Sequence, residues 1–99
     1  LANQVRDTIK QSVEHSFRVS SSLTRNQLWQ ALTPQMFRFG VLYQALNRAK
    51  KYKVSVTDES AAIEALGYQP LLVLGAYDNI KITYPEDLAL ADYLLRQQV

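Results

Sequence analysis

The chain has 99 residues, 47% of them hydrophobic and 10% aromatic, enough to bury the core of one domain or of a piece of one. A formal net charge of +2 is too small for the dense basic stripe of a nucleic-acid binder, so no nucleic-acid partner is expected. The absence of cysteine excludes disulfides, thiolate zinc sites and a cysteine nucleophile. Apolar runs such as Leu71-Leu72-Val73-Leu74 fall far short of the roughly 20 residues that cross a bilayer, so no membrane partner is expected either. With no signal-peptide pattern at the start, a soluble, cytoplasmic protein is the simplest expectation. The opening Leu1-Ala2-Asn3-Gln4-Val5 reads as the middle of a chain, and a fragment of a longer polypeptide is expected.

Residues 5–10 alternate apolar and polar as a strand does, and residues 17–24 do the same with Phe17 and Val19 on one face. The polar link from Gln11 to Ser16 makes them a predicted β-hairpin. Rich in serine and poor in large apolar residues, it cannot hold itself together and should lean on something else. Leu28 to Leu32 predicts a short strand running into a helix, with Thr33 as N-cap and Pro34 in the first helical position. Phe37, Val41, Ala45 and Ala49, flanked by Leu42 and Leu46, give that helix a core-facing stripe. Arg48, Lys50 and Lys51 suit the negative end of its dipole.

Val54-Ser55-Val56 is a strand candidate. Thr57 or Asp58 then caps a helix carrying Ala61, Ala62, Ile63 and Leu66, with Gly67 as a left-handed terminator. Leu71 to Leu74 reads as a buried strand and Asn79 to Thr83 as another. Thr83-Tyr84-Pro85-Glu86 fits a capping box opening a last helix that runs to about Gln97. Strands alternating with helices predict an α/β fold with helices layered on a sheet, the hairpin standing outside that pattern.

Polar residues where strands end and helices begin are the places to look for a ligand. Thr33 combines a hydroxyl with the free N–H groups of a helix start, a seat for phosphate. Thr57 has the same placement beside two carboxylates, Asp58 and Glu59. Plain capping is the favoured reading of both from spacing alone. Lys81, between Ile80 and Ile82 in a strand, would point opposite to the isoleucines, into a cleft or solvent. Arg25 and Lys81 read by default as solvated surface cations. His15 is the single histidine, in a polar link, without visible triad or metal partners. Asp7, Asp58, Asp78 and Asp87 show no ligand spacing to it, so no metal site is expected in this chain. Gly40, Gly67 and Gly75 are scattered and form no phosphate loop.

Several stretches, taken in order, carry a resemblance. They are Arg6-Asp7-Thr8-Ile9-Lys10, Arg25-Asn26-Gln27-Leu28-Trp29, Ala31-Leu32-Thr33-Pro34-Gln35, Thr57-Asp58-Glu59, Asp78-Asn79-Ile80-Lys81-Ile82-Thr83 and Pro85-Glu86-Asp87-Leu88. Over essentially its whole length the chain resembles the C-terminal part of the 2-C-methyl-D-erythritol 4-phosphate cytidylyltransferase family. The resemblance implies a portion of a Rossmann-like nucleotidyltransferase with a three-layer sheet fold and a projecting β-hairpin arm. Residues 1–99 would be the C-terminal part of one domain. Residues 5–25 would form the dimerisation arm and 26–99 the substrate-binding, sheet-completing portion, with the N-terminal nucleotide-binding half absent.

The implied reaction moves CMP from CTP to methylerythritol phosphate with loss of pyrophosphate, in the non-mevalonate route to isoprenoids. It uses Mg2+, whose ligands are expected mainly in the missing half. By the same resemblance Arg25, on an arm reaching into the partner subunit of a homodimer, and Lys81 position the methylerythritol phosphate. Thr8, Thr33 and Thr57 line its pocket. Tyr84 departs from the family pattern, where arginine precedes the proline. The chain alone is expected to be inactive. The alternatives are a ribitol 5-phosphate cytidylyltransferase or a non-catalytic dimerisation fragment.

Overall fold

A computed structural model describes residues 1–98. The chain divides into two compact units, one made of Leu1–Thr33 with the segment from Leu74 onward, the other of Pro34–Val73.

In the first unit, β1 (Ala2–Gln4) pairs antiparallel with β4 (Trp29–Ala31), Asn3 opposite Gln30. The pairing continues past both ends through Val5 N–H to the Leu28 carbonyl at 3.1 Å and Leu32 N–H to the Leu1 carbonyl at 2.9 Å. β1 lies outside the predicted elements, because Ala2-Asn3-Gln4 has no apolar alternation to mark it. The predicted hairpin forms from β2 (Ile9–Ser12) and β3 (Val19–Leu23), antiparallel, with a bulge after Gln11. Its first strand begins later than expected and runs into the polar link, since serines and glutamine serve as ladder partners: Lys10 Nζ donates to Ser22 Oγ at 2.6 Å and Ser20 Oγ to the Gln11 carbonyl at 3.0 Å. Every residue of both strands is exposed. A short 3-10 turn, Arg25–Gln27, links the hairpin to β4.

The second unit contains α1 (Phe39–Lys51) and α2 (Glu59–Ala65). Ala45, Ala62 and Ile63 are buried together, with Phe37, Val41, Leu42, Val56 and Leu66 packed on them; of the predicted stripe, Phe37, Val41, Ala45 and Leu42 join this cluster, Ala49 is buried outside it and Leu46 is exposed. Thr33 and Pro34 do not open α1, which starts five residues later behind Arg38. The reason is Gln35, whose side chain is held by α2. Its Oε1 accepts from Ser60 N–H at 3.1 Å and its Nε2 donates to Asp58 Oδ2 at 2.9 Å. Asp58, not Thr57, is the N-cap, with Oδ1 accepting from Ala61 N–H at 2.8 Å. Gly67 ends α2 at φ 94°, as its lack of Cβ allows. The end of α1 uses the same left-handed geometry without glycine. Lys53 sits at φ 53°, its N–H on the Lys50 carbonyl and Val54 N–H on the Ala49 carbonyl, a complete Schellman closure.

Three predicted strands do not form among the described residues. Val54–Val56 leaves the closure of α1 directly for the cap of α2. Leu71 to Leu74 is exposed rather than buried, Leu71 to 91%, because a strand needs neighbours and the only pairing it finds among the described residues is a parallel bridge of Leu74 with Ala2. There Gly75 donates to the Ala2 carbonyl at 3.0 Å, and a Cβ on it would lie 2.9 Å from Leu32 Cδ1, so glycine permits the approach. Asn79–Thr83 gives its polar groups to other partners instead of a ladder: Asn79 N–H to the Ala76 carbonyl, Asn79 Nδ2 to the distant Thr33 carbonyl, Thr83 N–H to Asp87. α3 (Asp87–Arg96) follows. Its capping box is shifted, for Asp87 Oδ2 rather than Glu86 reaches back, accepting from Thr83 and Tyr84 N–H at 2.9 Å each. No helix among the described residues is long and apolar enough to cross a membrane.

Candidate functional site

The first unit carries a cleft of about 790 Å³ between the β1–β4 ribbon, the root of the hairpin and the 77–83 loop. Its charged lining is Arg6, Asp7 and Lys81, a net positive wall; Thr33, Tyr77 and Asn79 are among the polar groups. β4 delivers Thr33, the last residue before the unit boundary, and Asn79 holds it by donating to its carbonyl at 2.6 Å. That bond also anchors the loop two residues before Lys81. Ile80 lines the same cleft as Lys81, so the expected alternation, with the isoleucines turned away, does not hold; without a strand there is no pleat to impose it.

Arg6 stands where β1 hands over to the hairpin. Its guanidinium lies over the Tyr77 ring, 3.9 Å from the centroid, and the Tyr77 hydroxyl donates to the Gln4 carbonyl at 3.2 Å. Arg25 donates through Nη1 to the Arg6 carbonyl, which ties the 3-10 turn to the cleft wall of its own chain. On the cleft wall Asn3 is 2% exposed, and its Oδ1 has no hydrogen-bond partner among the described residues.

The structure thus brings Thr33 and Lys81 into one cleft, with Arg25 attached at its margin through Arg6. Thr8 lies between two lining residues, Asp7 and Ile9, without lining the cleft itself. Thr57 belongs to the other unit, where it is exposed; the N–H groups of Ser60 and Ala61 beside it are already taken by Gln35 and Asp58. His15 is a loop residue at φ 55°, 3.5 Å from Glu14 and almost fully exposed.

A family model described as 2-C-methyl-D-erythritol 4-phosphate cytidylyltransferase matches residues 1–97. The chain belongs to this family. A cytidylyltransferase of that description from Baumannia cicadellinicola is 52% identical over 99 residues, and one from Buchnera aphidicola 48% identical over 97. In each case the match covers 98% of this chain and 41% of the relative, so the chain spans well under half the length of these proteins. Among solved structures, the 2-C-methyl-D-erythritol 4-phosphate cytidylyltransferase of Thermus thermophilus superposes with a TM-score of 0.84 at 30% identity, over 96% of this chain and 46% of that one. The enzyme of the same name from Francisella tularensis gives 0.82 at 35% identity, over 93% and 42%. The fold is therefore the Rossmann-like α/β fold of the cytidylyltransferases.

Three residues of the cytidylyltransferase cleft escaped the sequence reading: Arg6, Tyr77 and Asn79. Arg6 looked like one polar step of a strand, and nothing in one dimension pairs it with an aromatic residue 71 positions on. The Asp78-Asn79 turn signal ahead of Lys81 was the one available hint for Asn79.

Proposed function

We propose that the protein to which this chain contributes transfers CMP from CTP to 2-C-methyl-D-erythritol 4-phosphate. An oxygen of the sugar phosphate attacks the α-phosphorus of CTP; the new O–P bond forms as the bond to the bridging oxygen breaks, and pyrophosphate leaves. Both reactants are anions, so the task is to neutralise charge and align the attack. This chain supplies the sugar-phosphate side. Lys81 acts as a point charge, Thr33 as a hydroxyl donor, and Arg25 as a guanidinium fork.

What carries this reading is the family match over residues 1–97, with Lys81 and Thr33 meeting in one positively lined cleft. We read the hairpin as the element that joins two copies, supported by the exposure of Phe17, Val19 and Leu23 upon it. Arg25 then serves the second copy, exchanging the neutral Arg6 carbonyl for a phosphate, the stronger partner for a guanidinium. A cytoplasmic setting, without nucleic-acid or membrane partners, belongs to the same reading. So does a divalent cation, magnesium. Among the described residues no group of three His, Cys, Asp or Glu side chains could hold one, so this chain does not fit the role of its cage and no step above runs through it.

The test is a chain completed with the remainder of the Baumannia relative. It should release pyrophosphate with CTP and methylerythritol phosphate and far less with ribitol 5-phosphate, while the 99 residues alone should not turn over. Preference for ribitol 5-phosphate, or turnover by the 99 residues alone, would overturn the assignment.

A further inference from the structure

We propose that Arg6 is a second phosphate-binding cation of the cleft, working beside Lys81; the assignment rests on the sugar-phosphate role given above. Both side chains line the same cleft, and neither has a hydrogen bond or ion pair from its charged end to any described residue. The one carboxylate in the lining, Asp7, pairs with neither of them. A guanidinium with five donors and an equally unengaged ammonium, both in the lining of one cavity, offer an anion charged donors that no protein acceptor occupies.

The stacking on Tyr77 fits this role. With the ring 3.9 Å from the guanidinium carbon, the aromatic face takes the flat side of the ion and leaves its edges, where the N–H groups lie, open to a ligand. The ring is itself fixed by its hydroxyl on Gln4. The side chain is thus oriented before a ligand arrives, which lowers the entropy cost of binding. A dianionic phosphate matches the pair in charge, the planar fork offering parallel donors and the ammonium a point charge. Tyr77 is a positioning residue, acting through Arg6.

The experiment measures calorimetric binding of inorganic phosphate and of methylerythritol phosphate to the completed chain, with steady-state constants on the same samples. Arg6→Gln should weaken both phosphates on the order of ten- to hundredfold and raise KM for the sugar phosphate, leaving KM for CTP unchanged. Tyr77→Phe, which keeps the ring and loses only its hydroxyl anchor, should bind both phosphates more tightly than Tyr77→Leu, which loses the ring as well. If Arg6→Gln binds phosphate as tightly as the parent, or loses CTP and phosphate together, the assignment is wrong. Should Arg6→Gln not fold, the Tyr77 pair decides: Tyr77→Leu weaker than Tyr77→Phe supports it, and equal binding overturns it. Arg6-dependent phosphate binding by a completed chain that transfers no CMP would sink the proposed reaction and leave Arg6 standing.

Discussion

Between Pro34 and Val73, buried Ala45, Ala62 and Ile63 give α1 and α2 a shared interior, whereas every residue of β2 and β3 is exposed. Both regions satisfy their backbone groups, the helices by caps and closures, the hairpin by its ladder and serine hydroxyls. Only one of them removes apolar surface from water by itself. A ladder specifies a shape, and burial holds it, since net hydrogen-bond gains are small beside the entropy of ordering the chain. The helical unit buries an interior of its own; the two hairpin strands bury no residue.

The largest effect that can break this comparison lies in the arm. In the completed protein, Arg25→Ala and Lys81→Ala should each lower activity by about 100-fold, the scale set by misplacing a reactant. If the hairpin is covered by a second copy and delivers Arg25 there, mixing the two inactive variants should restore roughly a quarter of the sites in a two-fold dimer. No recovery on mixing would keep Arg25 at the cleft of its own chain, where its bond to Arg6 now holds it.

Core truncation should separate the regions next. Ile63→Ala removes a side chain from the α1–α2 interior and should cost about 2–5 kcal/mol in chemical denaturation. Phe17→Ser on the hairpin should change the stability of the isolated chain by less than about 0.5 kcal/mol, yet weaken self-association measured by sedimentation. Equal losses would mean that the hairpin has a hidden core of its own.

A smaller gain is available within the helical unit. Lys53 closes α1 in a conformation that disfavours side chains, so Lys53→Gly should raise stability by about 1 kcal/mol, read as a shifted denaturation midpoint.

The smallest effect concerns α3. Backbone N–H groups of Tyr84 and Thr83 hold the Asp87 carboxyl below its usual value of 3.8. A depressed folded value means that the contribution is fully present above 3.8 and lost as pH falls through the lower folded value. The amide resonances of Thr83 and Tyr84 should therefore step below pH 3.8 in the parent and show no such step in Asp87→Asn.

What could be read in one dimension follows the same divide. The stripe through Val41, Ala45 and Ala49, the Asp58–Gly67 helix and the hairpin were all legible, because period and turn chemistry are local signals. Gln35 was not: it looked like the first turn of a helix, and only the distant end of α2 draws it out of one. The strand expected at 71–74 failed for a related reason, since an apolar run promises a strand only when neighbours are there to pair with it, and the one expected at 79–83 failed because its polar groups find turn and cap partners. Of the cleft, Lys81, Thr33 and Arg25 were reached through family motifs, whereas the Arg6–Tyr77 contact is a product of folding and leaves no mark on spacing.

The most direct measurement is a two-substrate kinetic analysis of Lys81→Ala in the completed protein, with the KM for CTP and for the sugar phosphate determined separately. A chain that furnishes the phosphate seat predicts damage confined to methylerythritol phosphate, in KM or in kcat, with CTP recognised as before. Equal loss of both nucleotide and sugar phosphate recognition would contradict it.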